Sequence, residues 1–209
     1  LTAGAETIYM VCISLFIGAI IAFPLAILLY LTRKNGMYQN RFVNGLLNII
    51  INVIRSTPFI IMLVCVMPLT KVLVGTRIGT KAALVPLTIY IAPYLARLME
   101  GALLETKAGI IEAAEAMGAT PLQIVWHFIL PESLGSLILT ITTGTIGLIG
   151  ATAMAGYIGG GGIGNIALTY GYQQFNNRLM FFTVLILIIV VQLIQNLGTW
   201  ASAKIRRAR

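Results

Sequence analysis

"EAAEAMGATPLQIVWHFILP", Glu112 to Pro131, interrupts a chain that is 58% hydrophobic with acids, small side chains, a glycine and two prolines. A run of that composition does not cross a bilayer, yet its local signals are those of ordered structure. "GIIEAAEAM" favours helix, and Gly118 suits the position just past a helix end. Thr120 can cap a second helix, with Pro121 in its first turn and Gln123 three residues on, the spacing of a capping box. That second helix is expected to run through "PLQIVWHFIL" and to stop before Pro131. Helices of about 8 and 10 residues are ~12 and ~15 Å long, so neither spans a membrane. The pair, about residues 106–131, is expected to form an elbow on the cytoplasmic surface.

The flanks explain why a membrane is invoked at all. Only 10% of the 209 residues are charged, against about 25% in soluble domains, and the mean hydropathy is +0.94. The chain therefore reads as an integral membrane protein. Fourteen Lys and Arg against six Glu give a net charge of +8. In a soluble protein that excess suggests nucleic acid, but basic cytoplasmic loops account for it more simply. Cys12 and Cys65 lie in apolar runs, away from any CxxC or His, which predicts neither a disulfide nor a metal site.

A crossing helix needs about 20 apolar residues. Residues 8–31, 82–104 (despite Pro86 and Pro93), 133–157 and 179–203 qualify. The region 42–73 is less direct. Asn44, Asn48 and Asn52 fall four apart on one helical face, which predicts an amphipathic segment lying along the interface over 42–54. "RSTP" then reads as a helix start at Pro58, with a crossing from about Thr57 to Val74. Five crossings result, within a single domain over 1–209.

Eight basic residues (Arg33, Lys34, Arg41, Lys107, Lys204, Arg206, Arg207, Arg209) fall on one side and four (Lys71, Arg77, Lys81, Arg178) on the other. The richer side is expected to be cytoplasmic, which puts the N-terminus outside and both the C-terminus and the elbow inside. Neither an internal repeat nor a pair of equal inverted halves is evident, which argues against an inverted-repeat secondary transporter.

Three readings of the elbow compete. It can be a plain connector between crossings. It can be a DNA-reading helix-turn-helix, but Glu112, Glu115 and Glu132 would repel phosphates. Or it can be a docking knob, in which small residues admit a partner closely and Glu112 offers one defined charge. Here a resemblance enters. Glu112-Ala113-Ala114, then Gly118, then Leu130-Pro131 is similar to the EAA loop of ATP-binding-cassette importer permeases, with Phe128 at a position often aliphatic in that family. "RSTPFIIML", "KVLVGTRIGTKAALVPLTI", "APYLARLMEGALLE", "GATPLQIV" and "YGY" extend the likeness along nearly the whole chain, to the permease subunits of methionine importers.

The resemblance implies an all-α, five-helix permease of the type I importer fold in the bacterial inner membrane. It implies a homodimer with two ATP-binding-cassette ATPase subunits, an extracytoplasmic methionine-binding protein and surrounding lipid as partners, and no nucleic acid. Glu112, Ala113, Ala114, Met117, Gly118, Ala119 and Thr120, with Pro121 and Gln123 of the capping box, would form the ATPase contact. ATP and Mg would be used by the partner ATPase, and no cofactor by this chain. An importer permease for another small solute is the near alternative. An ion-coupled carrier or channel is the distant one, disfavoured because no Glu is expected in mid-membrane.

"GGGGIG" (Gly159–Gly164) fits G-x-G-x-x-G, but it follows an apolar span rather than a strand. "GTRIGTK" (Gly75–Lys81) fails the spacing of a phosphate-binding loop. Both read as external turns, so no nucleotide site and no catalytic residue is expected here. Thr140, Gly144, Gly147, Ala151 and Met154 share one helical face, suited to close helix packing, to a dimer face, or to a pathway wall with Met154 near the outer gate. Arg97 and Glu100, three apart, suggest an ion pair near the cytoplasmic end of their span. His127 reads as packing or solvated. Gln192, Gln195 and Asn196 suggest interhelical hydrogen bonds. Tyr30 and Trp200 suit an aromatic belt.

Overall fold

Long apolar runs without internal caps become long helices, because a backbone in lipid has only its own carbonyls to bond. The computed structural model describes residues 2–207. Helix α1 (Thr2–Thr32) is followed by α2 (Arg41–Ser56), α3 (Phe59–Val74) and α4 (Thr80–Leu104). The elbow carries α5 (Ala108–Ala116) and α6 (Pro121–Ile124), and a π-turn over Val125–Ile129 joins α6 to α7 (Leu130–Ala155). A short 3₁₀ turn at Gly156–Ile158 leads into α8 (Gly162–Asn165), prolonged by a π-helical stretch over Ile166–Gln173, and α9 (Asn177–Arg207) closes the chain.

α4 is the hub, packed by α1, α2, α3 and α7. Small residues set the close approaches. A methyl group on Gly18 of α1 would strike Ile91, and one on Gly144 of α7 would strike Leu95. Such contacts replace the hydrophobic drive that lipid does not supply between helices.

Four continuous helical stretches are long and apolar enough to cross: Thr2–Thr32, Thr80–Leu104, Pro121–Ile158 and Asn177–Arg207. α2 and α3 pass that test only together, and they bend by 109° at Ser56–Pro58. Thr57 and Pro58 hold extended backbone there, as a residue before proline prefers. The fifth crossing thus rests on a broken pair. α3 has 16 residues, ~24 Å of helix, and is short for a ~30 Å hydrocarbon core.

Asn40 caps α2, its Oδ1 accepting from the Phe42 and Val43 amides at 3.1 Å. Two of the three asparagines turn inward. Asn44 Nδ2 donates to Leu29 O and Thr32 Oγ1, each at 3.2 Å, and Asn48 Nδ2 donates to Asn44 Oδ1 at 2.9 Å. Asn52 is exposed, as is the apolar stripe of Phe42, Leu46, Ile49, Ile50 and Val53. Asn44 and Asn48 face protein and the greasy stripe faces outward, the polarity expected of a helix against lipid.

Two expectations are corrected. The second elbow helix does not stop before Pro131. It passes through the π-turn, where the Leu130 amide bonds Val125 O, and continues as α7. Proline cannot bond the carbonyl four residues back and its ring crowds it; one widened turn immediately before Pro131 makes room, so the helix survives. The glycine-rich segment is not only a turn either. Gly159–Gly161 turn the chain, but Gly162 opens α8, and helix runs on to Gln173.

Candidate functional site

The elbow is held by local bonds that its sequence specifies. The Gly118 amide bonds Glu115 O at 2.9 Å and the Ala119 amide bonds Ala114 O at 3.1 Å, closing the end of α5. Gly118 sits at φ +78°, a left-handed conformation that glycine adopts without Cβ strain. Thr120 and Gln123 then form the reciprocal box: the Thr120 amide donates to Gln123 Oε1 at 2.9 Å, and the Gln123 amide to Thr120 Oγ1 at 3.4 Å. Two short helices are thereby locked at a fixed angle.

Burial divides the predicted contact residues into two sets. Glu112, Ala113, Met117, Gly118, Thr120 and Gln123 are exposed, while Ala119 and Pro121 are half-buried. Ala114 is fully buried. It is thus not part of the accessible surface; it seats α5 on the base formed by Ile124, Val125 and Ile129, also buried. Exposed Leu122 and Trp126 extend the outer surface, and Trp126 packs on Phe23 of α1 with ring centroids 6.0 Å apart. His127 is exposed, its Nδ1 within 3.2 Å of Gln123 O. Glu112 makes no ion pair or hydrogen bond within the described residues, so its carboxylate is available to a partner. The knob is small-residued and acidic at its exposed tip, rigid at its base, and continuous with α7.

Residues 14–207 match the family described as binding-protein-dependent transport system inner membrane component. The chain belongs to this family. It is 44% identical over 207 residues to the probable D-methionine transport system permease protein MetI of Vibrio cholerae, covering 99% of this chain and 91% of that one. It is 45% identical over 196 residues to the methionine import system permease protein MetP of Bacillus subtilis, covering 94% and 88%. Among solved structures, it superimposes with a TM-score of 0.94 on a chain of the MetNI methionine ABC transporter in an inward-facing conformation, at 44% identity, covering 98% of this chain and 94% of that one.

This permease is a multi-pass membrane protein, and its remaining predicted residues fall into place around α4. Thr140, Gly144 and Ala151 are buried within the single chain, Gly147 is half-buried near Tyr94, and only Met154 is exposed. Most of the small-residue face is therefore a packing face against α4. Arg97 and Glu100 form the expected ion pair at 2.7 Å, and Arg97 also donates to Asn48 of α2. Gln192, Gln195 and Asn196 are exposed and bond no other helix among the described residues; Gln195 donates within α9 to Thr199 at 3.4 Å. Tyr30 is buried with Arg33 4.3 Å above its ring, and exposed Trp200 lies under Lys204 at 5.1 Å.

Sequence reasoning missed a latch at the opposite end of the molecule. Glu6 Oε2 accepts from the Gly162 amide at 2.8 Å, and Thr7 Oγ1 accepts from the Ile163 amide at 2.9 Å. Glu6 and Thr7, near the start of α1, thus cap the helix that the glycine-rich segment begins. The partners are 156 residues apart, and the only hint was an acid near the start of an otherwise apolar helix.

Proposed function

We propose that this permease forms the translocation pathway of an ATP-driven importer of methionine, both L and D, in a bacterial inner membrane. The relatives named for methionine transport in Vibrio cholerae and Bacillus subtilis support the substrate. Two copies of the chain enclose the pathway, two ATPase subunits dock on the two elbows, and an extracytoplasmic methionine-binding protein delivers the substrate to the glycine-rich end. The elbows and the C-terminus face the cytoplasm, in keeping with the excess of basic residues there. Nucleotide and Mg belong to the ATPase subunits.

The observation that carries this reading is the unbroken path from knob to span. α6, the π-turn and α7 form one continuous helical rod, and the capping box and the Gly118 turn fix α5 to it. A displacement of the knob by a soluble motor is therefore transmitted to the span as a rigid-body motion. Exposed Glu112, Met117 and Gly118 offer a charge, a deformable apolar side chain and a gap for close approach.

The test is methionine uptake into liposomes carrying the permease with its cognate ATPase and supplied with the methionine-binding protein, for wild type and Glu112→Lys, with co-purification of the permease and ATPase measured in parallel. Loss of both uptake and ATPase association in the variant is expected. Uptake by wild type without any ATPase would instead establish a channel or carrier. A coupled wild-type complex that moves another solute but not methionine would leave the family role standing and replace the substrate.

A further inference from the structure

Beside the elbow, α4, α7 and the end of α9 enclose an open cleft of about 350 Å³, the size of a site for one small metabolite. Its polar groups are arranged unusually. Ser136 Oγ donates to a carboxylate oxygen of Glu105 and accepts from Arg206 Nη2 at 2.9 Å. An acid and a base thus share one hydroxyl without pairing with each other, and neither enters any ion pair among the described residues. Arg97 adds a second guanidinium to the lining, with donors to spare beyond its bonds to Glu100 and Asn48.

The backbone is shaped to hold Arg206 there. A methyl group on Gly135 would lie 2.8 Å from Arg206 Cγ, so the absence of a side chain lets the arginine stem cross α7. Ser202 Oγ donates to Gly135 O at 2.8 Å and pins the end of α9 against the same residue. Between the charges the lining is aliphatic, from Leu98 and Leu139, and a methyl group on Gly101 would meet nothing within 4 Å.

We propose that this cleft is a low-affinity binding site for a free α-amino acid with an apolar side chain, at the elbow end of the translocation path. The inference rests on the function proposed above and names the residues of this chain that the substrate meets. An α-amino acid carries its ammonium and carboxylate on one carbon, and the cleft offers Glu105 and Arg206 one hydroxyl apart. The ammonium bonds Glu105, the carboxylate bonds Arg206 with Arg97 behind it, and the side chain lies against Leu98 and Leu139. The open mouth admits solvent that screens both charges, which keeps binding weak enough for release.

The test places a reporter thiol in the cleft, Thr143→Cys, with Cys12 and Cys65 replaced by Ser, in the purified permease–ATPase complex. L-Methionine is expected to slow alkylation of that thiol several-fold at saturation. 4-(Methylthio)butanoate, which lacks the ammonium, and 3-(methylthio)propylamine, which lacks the carboxylate, are expected to protect about tenfold less tightly, the loss of one charged hydrogen bond. Glu105→Gln and Arg206→Gln should each weaken protection by methionine to the same degree. Gly101→Leu, which grows into open space, should remove it while the subunits still co-purify. Absence of protection in a complex that imports methionine would overturn this inference and leave the proposed function intact. Equal protection by all three compounds, or protection that survives both charge variants, would overturn it too. A complex that fails to import methionine would overturn the proposed function, and with it the identity of this ligand.

Discussion

Gly118 shows how much one residue can decide. A β-branched side chain at its φ of +78° costs about 1–2 kcal/mol, and the elbow has few other bonds to absorb it. Gly118→Val is expected to reduce ATPase co-purification and methionine uptake together, while the permease itself extracts at near wild-type yield; quantitative pull-down with an uptake assay checks this. Arg97 is the counterpart near the elbow end of α4. Its ion pair with Glu100, which is 7% exposed, was legible from their spacing of three, whereas the third partner, Asn48, lies 49 residues away and was not. Arg97→Gln leaves a buried carboxylate without its cation and should cost about 1–3 kcal/mol. Thermal unfolding in detergent should register this as a lower midpoint, and adding Glu100→Gln should recover part of it.

At the scale of the element, the decisive feature is the π-turn before Pro131. Capping signals placed the start of α6 correctly, because a cap is a contact between residues three apart. The end was misread, because proline ends a helix only where the preceding turn cannot widen. Pro131→Ala removes the reason for widening. If Val125–Ile129 then relaxes to α geometry, the knob turns by about 100° about the rod relative to α7, one residue of helical register. The expected outcome is a complex that still assembles but hydrolyses ATP without moving methionine, measured as the ratio of ATPase rate to uptake in liposomes. An unchanged ratio would mean that the turn is held by packing rather than by the proline.

For the whole molecule, the broken α2–α3 pair determines on which side of the membrane the α1–α2 loop lies. With α3 crossing, Gln39→Cys and Glu115→Cys are expected to react with an impermeant maleimide only after cells are permeabilised, and Thr76→Cys in intact cells, all in a background lacking Cys12 and Cys65. Reaction of Gln39→Cys in intact cells would make the pair re-entrant. Hydropathy, capping residues and the glycine at the bend of the elbow made the long spans and the knob readable in advance, because each depends on neighbours a few residues apart or on composition alone. The side of each helix that meets protein was not readable in the same way. Lipid is as apolar as leucine, so an apolar stripe does not announce whether it faces a neighbour or the bilayer. Asn44 and Asn48 therefore turned inward, Gln192 and Asn196 stayed outside, the small face of α7 packed on α4, and Glu105 at the end of α4 met Ser136 of α7 and Arg206 of α9. Those outcomes depend on shape complementarity between segments up to about a hundred residues apart, and only the folded chain determines it.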